Sequence, residues 1–351
     1  MTEVKSGPAP YIYTSTRLRV RKAKLLPRDD YLRMQNMSLP EIARFIGESE
    51  YKSEIDELGG VFHGIDLIEI ALSWNLAKEN QSVLGITQGS LMQFTASYLR
   101  SWDIANVLII LRGKQQGFSV NKIKEVVIPA GELDKVFLDR LLAEESPDRI
   151  VELLKGWRLY PVLEREYSAV VERGSFARLE NELYKKYYAD LIAVARGGIK
   201  GGREFLQYLQ LEIDTRNFQS LFRLRASGMP EDVRELMIPG GDFSLDELAR
   251  LGAVESNDEL IDALKKRTRL QSLIEALETF REGRPIHEIE NVLTRIKLEQ
   301  MDRMSKRYPF SIAPILVYLE KKKYEVFNLR ALARGKESNL PGERIMEYLV
   351  I

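Results

Sequence analysis

The sequence predicts an all-α protein, and three observations carry that expectation. Apolar residues recur at helical spacing along most of the chain, glycine and proline fall between the periodic stretches, and one pattern is written three times at a fixed step. With 351 residues the chain is long enough for two or three domains, each with a real core. A hydrophobic content of 44% opposes general disorder.

Taken in order, residues 11–20 (YIYTSTRLRV) are the only serious candidate for a β-strand, because apolar and polar side chains alternate there. Their continuation, RVRKAKLL, reads as a helix with an exposed basic face. Arg17, Arg19, Arg21, Lys22 and Lys24 form the densest basic cluster of the chain, either a solvated face or a docking surface for acidic loops or for the headgroup side of a membrane complex. SLPEIARFIG and IDLIEIALSWNLA follow with helical stripes. From Leu91 to Arg112 the spacing of Phe94, Tyr98, Trp102, Ala105 and Ile109 predicts one helix, with no Gly or Pro inside it. RLENELYKKYYADLIAVA and ELIDALKKRTRLQSLIEAL repeat the pattern, and KKKYE (321–325) reads as a solvated face. Pro27, Pro129, Gly131, Pro239, Gly240 and Gly241 mark helix-to-helix turns.

The repetition is specific. Trp102, Asn106, Ile110 and Arg112 are matched by Ile213, Asn217, Leu221 and Arg223, and again by Tyr324, Asn328, Leu332 and Arg334, always at the step that separates 106, 217 and 328. Gly117, Gly228 and Asn339 keep the same step and suit left-handed turns just past a helix. Glu69, Glu180 and Glu290 precede the three asparagines at nearly constant spacing. Ser38, Ser146 and Ser256 sit at expected helix starts, with capping boxes in SLPE and SNDE and a first-turn proline in SPDR. Three helical units are expected at 27–128, 129–238 and 239–351, after a lead-in over 1–26. Each asparagine has apolar residues four before and four after it, which places it on a core-facing stripe. A buried amide left unpaired costs about 1–3 kcal/mol. The repeated Glu and Arg are its expected partners, with a Glu–Arg pair inside each unit. A polar set repeated three times specifies a fold, whereas an active site would occur once.

Composition removes much chemistry. No cysteine is present, which excludes disulfides, thiol nucleophiles and Cys-ligated metals, and two histidines leave little for a histidine metal site. His63 and His287 are both expected at the surface. GGIKGG (197–202) is the most phosphate-like stretch, but no GxxxxGK[ST] is present and a helix precedes it, so a helix–helix loop is expected. Asp29–Asp30 and Glu144–Glu145 fall at helix starts or surface turns, where the helix dipole and solvent explain them. No catalytic residue, cofactor or metal ligand is assigned. With 52 basic and 52 acidic residues there is no net field to hold nucleic acid. No leader or membrane span is read, and a cytoplasmic location is expected.

The segments YIYTSTRLRVRKAKLLPRDDYLRM, SLPEIARFIGESEYKSEIDEL, GIDLIEIALSWNLA, YLRSWDIANVLIILRGK and VIPAGEL resemble the C subunit of archaeal (A-type, V-like) rotary ATP synthases, related to the d subunit of eukaryotic V-ATPases. The resemblance is sharpest over positions 1–135. It implies three pseudo-symmetric helical domains arranged as a funnel. It also implies a non-catalytic spacer in the central rotor, between the membrane proteolipid ring and the D and F subunits of the central stalk. Catalysis and ion transport would lie in other subunits, with this chain peripheral on the cytoplasmic face. The residues taken alone also fit a generic helical-repeat scaffold; an enzyme built on GGIKGG is a distant third.

Overall fold

A computed structural model describes residues 9–228, 233–267, 273–274, 277–278 and 285–351, and among them the secondary structure is helical with no strand. The first eight residues of the expected lead-in, and residues 268–272 and 275–276 of the expected helix ELIDALKKRTRLQSLIEAL, lie outside the described residues. That helix runs from Asn257 to Arg267.

The candidate strand is a helix. α1 spans Ala9–Lys22, and burial selects the three-to-four spacing over the alternation. Tyr11, Thr14, Ser15 and Leu18 are buried, whereas Ile12, Tyr13 and Val20 face outward. Two of its inward hydroxyls are satisfied by distant backbone: Tyr11 donates to the Lys200 carbonyl at 3.1 Å and Thr14 to that of Ile86 at 2.9 Å, whereas the Ser15 hydroxyl is buried without a partner among the described residues. The expected basic helix stops at Lys22, after which the Lys24 and Leu25 N–H groups bond three residues back, to the carbonyls of Arg21 and Lys22, and Pro27 disfavours any helical continuation through Leu26.

Long helices organise the rest: α2 (Gly64–Gly85), α3 (Gly89–Leu99), α4 (Ser101–Gln115), α5 (Ala177–Arg196), α6 (Gly202–Ser227), α7 (Ile286–Arg307) and α8 (Ala313–Glu337). The single helix expected over 91–112 is divided at Arg100, whose carbonyl accepts a tight bond from the Asp103 N–H at 3.0 Å. Short helices precede each long pair. Arg28–Met34, Leu39–Gly47 and Lys52–Leu58 stand before α2, Lys135–Ala143, Pro147–Leu153 and Tyr160–Arg173 before α5, and Leu245–Ala253 and Asn257–Arg267 before α7. Gly117, Gly228 and Asn339 have φ of 72°, 64° and 55°, the left-handed turns expected beyond α4, α6 and α8.

Contacts between the long helices close on themselves. α2 packs on α3 and α8, α5 on α3, α4 and α6, and α7 on α6 and α8, so the last helix lies against the first. The short helices cover the junctions. Tyr31, Ile42 and Ile46 share a core with Ile68 of α2 and Leu329 of α8. Leu138, Leu141 and Ile150 join Val107 of α4 and Leu183 of α5. Leu248 and Leu260 join Leu221 of α6 and Leu293 of α7. Each fully buried leucine or isoleucine contributes about 1.5–3 kcal/mol relative to exposure, so these junctions carry much of the stability.

Local chemistry fixes the helix ends. Ser38 and Glu41 form the expected reciprocal box, with the Ser38 N–H donating to Glu41 at 2.8 Å. Ser146 and Ser256 each accept an early helix N–H, at 3.2 and 3.1 Å. Ser244 and Glu247 form a second full box that the repeat spacing does not flag, although S-x-x-E is written there. GGIKGG is the α5–α6 turn. Gly198 and Gly201 have φ of 76° and 90°, and a Cβ on Gly202 would overlap the Ala195 carbonyl oxygen, so backbone geometry accounts for these glycines.

Candidate functional site

The repeated polar residues do two separate jobs. Each asparagine clamps one backbone residue by both its groups, giving and receiving a hydrogen bond. Asn106 holds Ile128 at 2.7 and 2.9 Å, Asn217 holds Ile238 at 2.8 Å for both bonds, and Asn328 holds Val350 at 2.9 and 2.8 Å. All three are buried as the apolar flanks require. The expectation that Glu and Arg satisfy them is corrected: the partner is main chain in every copy.

The expected Glu–Arg pair inside each unit is also corrected, because each arginine reaches onward to the next glutamate. Arg112 pairs with Glu180 at 2.5 Å, Arg223 with Glu290, and Arg334 with Glu69, its second nitrogen at 2.9 Å. The third pair joins the end of the chain to its beginning. The physical reason is the packing order: the helix beside the Arg-bearing face of α4, α6 and α8 is α5, α7 and α2 respectively.

A third repeated position is not evident from the sequence pattern. The Asp103 carboxylate accepts the N–H groups of Glu132 and Leu133 at 3.0 and 2.9 Å, and Asp214 accepts those of Asp242 and Phe243 at 2.9 and 3.3 Å. The next repeat step falls on Glu325, which accepts the Leu26 N–H at 2.6 Å, before Pro27. Burial pushes Asp103 up to about 6 and Asp214 up to about 7, against the pull of those N–H groups. Gly131 and Gly241 lie against these carboxylates, where a Cβ would overlap an oxygen.

Where α3 and α4 meet α5, α6 and α8 there is a cavity of about 200 Å³. Positions equivalent in the repeat line it together: Tyr98, Leu209 and Glu320; Ser101, Glu212 and Lys323; Ala105, Arg216 and Phe327. One turn back along α3 and α6, Phe94 and Phe205 pack with ring centroids 4.8 Å apart in the same core as Leu316, and Phe94 and Tyr11 lie next to Gly201. At the other end Trp102, Ala105 and Phe327 pass it into a larger, mainly apolar space of about 680 Å³, bounded by Ile109, Ala331 and Tyr348. The predicted stripe of Tyr98, Trp102, Ala105 and Ile109 is therefore the wall of this space.

Behind the wall is a buried ion cluster. Lys297 donates to Glu212 at 2.7 Å and to Glu320 at 2.6 Å; Tyr98 donates to Glu320, and Arg216 lies 3.3 Å from Glu212. Burial alone would raise both carboxyls and lower the ammonium. Lys297 nonetheless holds Glu212 and Glu320 below the usual carboxylate range, and they hold Lys297 well above the usual ammonium value. KKKYE contributes to this interior, which corrects its reading as a solvated face. Lys322 is 3% exposed over the Tyr51 ring at 3.9 Å, and Lys323 lines the cavity. The cause is tertiary packing of α8: Lys322 lies over Tyr51 and Lys323 beside the tyrosine-lined cavity, both built from residues distant in sequence.

The basic lead-in cluster divides. Arg21 pairs with Glu79 at 2.6 Å and Lys22 with Asp302 at 2.7 Å, which ties down the end of α1, and beyond it Lys24 makes an exposed pair with Glu50 at 3.0 Å. Arg17 and Arg19 remain exposed, Arg17 donating to Tyr13. His63 is exposed as expected, whereas His287 is half-buried and stacked on Tyr348 at 4.6 Å, which corrects its surface reading. Among the described residues no His, Asp and Glu grouping could hold a metal, and no helix is long and apolar enough to cross a membrane.

Comparison with known proteins places the chain. Residues 14–348 match the ATP synthase (C/AC39) subunit family. The chain belongs to that family. The C subunit of the A-type ATP synthase from Methanosarcina mazei is 38% identical over 351 residues, covering 99% of this chain and 94% of the relative. The proteins of the same name from Archaeoglobus fulgidus and Halobacterium salinarum are 33% and 34% identical, over 99% of this chain and 98% and 99% of their own lengths. As a C/AC39 family member the chain resembles these relatives along almost its whole length, well beyond positions 1–135 where its motifs are sharpest.

Proposed function

We propose that this C/AC39 family member is a non-catalytic spacer in the central rotor of an A-type ATP synthase, linking the membrane proteolipid ring to the D and F subunits of the stalk. Three helical units, 27–128, 129–238 and 239–351, are arranged as a funnel about the central cavity. The observation that carries this reading is the cyclic order of the Arg112–Glu180, Arg223–Glu290 and Arg334–Glu69 pairs, one for each junction between units. Positions one repeat step apart that line one cavity support the same arrangement.

Stiffness follows from that closure. Torque passes through an adaptor only if it resists twisting, and a closed cycle of packed helices has no free edge about which to open. The wide apolar end of the cavity sockets the stalk. The opposite end, with the α1 start and the α5–α6 turn, faces the ring, where Arg17 and Arg19 contribute to attachment. Several weak contacts acting together give tight attachment to a many-copy ring through effective concentration. ATP turnover and ion translocation belong to other subunits, and the chain sits on the cytoplasmic face without entering the membrane.

The test is purification of the tagged chain from native membranes after mild solubilisation. The proteolipid and the D and F subunits are expected with it, and charge reversal at Arg17 and Arg19 is expected to reduce the proteolipid yield while leaving D and F. Recovery of the chain free of all three refutes the rotor assignment.

A further inference from the structure

The cavity is unevenly charged in a chain that is neutral overall. Among the described residues, Arg216, Lys297 and Lys323 surround only two carboxylates, Glu212 and Glu320. The carboxylates are tucked behind the wall, with side chains 8% and 1% exposed, whereas Arg216 and Lys323 keep 31% and 23%. Towards the wider end Arg330 and Arg334 share the carboxylate of Glu69, with Glu125 also acting on Arg334, and the Arg330 Nε makes no hydrogen bond among the described residues although another of its nitrogens donates to Ser73. The charged side chains that line the two spaces are thus four cations, Arg216, Lys323, Arg330 and Arg334, against two carboxylates, Glu212 and Glu320, among walls that are otherwise largely aromatic and aliphatic. The tyrosines of the wall do not restore the balance, because burial keeps Tyr98, Tyr188 and Tyr208 neutral at any ordinary pH.

Resting on the socket reading above, we infer that the cavity receives a helix end of the central stalk that carries a carboxylate on an otherwise apolar tip. The carboxylate enters between Arg216 and Lys323, and the apolar side chains lie on Trp102, Phe327 and Tyr348. Charge-assisted hydrogen bonds in a poorly hydrated site are stronger than their surface equivalents. A neutral tip leaves the surplus cations uncompensated, and a basic tip meets direct repulsion, so the same wall excludes wrong partners. Phe327 and Tyr348, 38% and 50% exposed on this lone chain, are the apolar groups such a tip covers.

An isosteric pair at one position tests this. Ala105 lines both parts of the cavity and bears no charge of its own, so Ala105→Gln adds bulk and Ala105→Glu adds the same bulk with a negative charge. The purified D–F stalk subcomplex is titrated calorimetrically into the full chain at low and at raised salt, with thermal melts verifying that both variants fold. Ala105→Glu is expected to bind at least tenfold more weakly than Ala105→Gln. Lys323→Gln is expected to weaken binding and flatten its salt dependence. Equal affinity of the two Ala105 variants, with wild type binding D–F, overturns the carboxylate inference and leaves the socket intact. No binding of D–F to wild type overturns the socket reading itself. Self-association of the chain, abolished by Ala105→Glu while D–F binding is unchanged, assigns the cavity to a second copy and overturns the inference.

Discussion

A buried side chain that satisfies two backbone groups at once is hard to replace, and Asn106, Asn217 and Asn328 each do so. Asn217→Ala leaves the Ile238 N–H and carbonyl without partners and is expected to cost about 1–3 kcal/mol, read from urea denaturation. Asn328→Ala is expected to cost less, because its two hydrogen bonds to Val350 are only partly buried. Asp214 makes a different prediction, in pH. Its folded value of about 7 lies above the unfolded value near 3.9, so between these the folded chain keeps a proton that the unfolded chain has released. Its contribution to stability is fully present below about pH 4 and is lost as pH rises through about 7. Asp302 works in the opposite sense. Burial would raise it, but Lys22 and Lys306 hold it well below the usual range, so its contribution exists above about pH 4 and is lost in acid. Comparing wild type with Asp214→Asn from about pH 4 to 8 isolates the first slope; identical slopes contradict it. The asparagines are legible because apolar residues flank them four positions either side. Asp103 and Asp214 keep the same repeat step but escape notice, since a lone acid on a helix looks like a solvated residue.

Helices are easier to read than their ends and faces. The stripes at 64–85 and 177–196 declare themselves by periodicity, yet α1 satisfies both a two-residue and a helical period in sequence, and only the docking of Tyr11, Thr14 and Leu18 decides between them. The division at Arg100 has no glycine or proline to announce it. KKKYE illustrates a tertiary override: nothing local indicates that Lys322 is buried, because Tyr51 lies far away in the chain. At this scale the turns after Ile128 and Ile238 give a sharp test. Gly241→Ala forces a Cβ onto the Asp214 carboxylate and is expected to cost about 1–3 kcal/mol, like other overpacked sites. Gly60→Ala, where a Cβ meets nothing within 4 Å, serves as the control and should change the denaturation midpoint little.

For the molecule as a whole, the decisive contacts are those that join the last long helix, α8, back to the first unit. Arg334 and Glu69 do this as an ion pair, supported by Glu325 on the Leu26 N–H and by Tyr51 donating to Glu325 at 2.6 Å. Arg334→Glu is expected to destabilise the fold, and the double exchange Arg334→Glu with Glu69→Arg to recover part of the loss. The coupling energy from that double-mutant cycle should be about 0.5–3 kcal/mol. The repeat and the family are both legible in sequence, but the onward direction of the Arg–Glu pairs is not, because spacing along a chain does not say which neighbour a side chain faces. Imaging the intact ATP synthase purified from membranes tests the central claim most directly. The account predicts density for this chain between the proteolipid ring and the D and F subunits, with the wide cavity end toward the stalk. A position on the outer, non-rotating stalks, or absence from the complex, would contradict it.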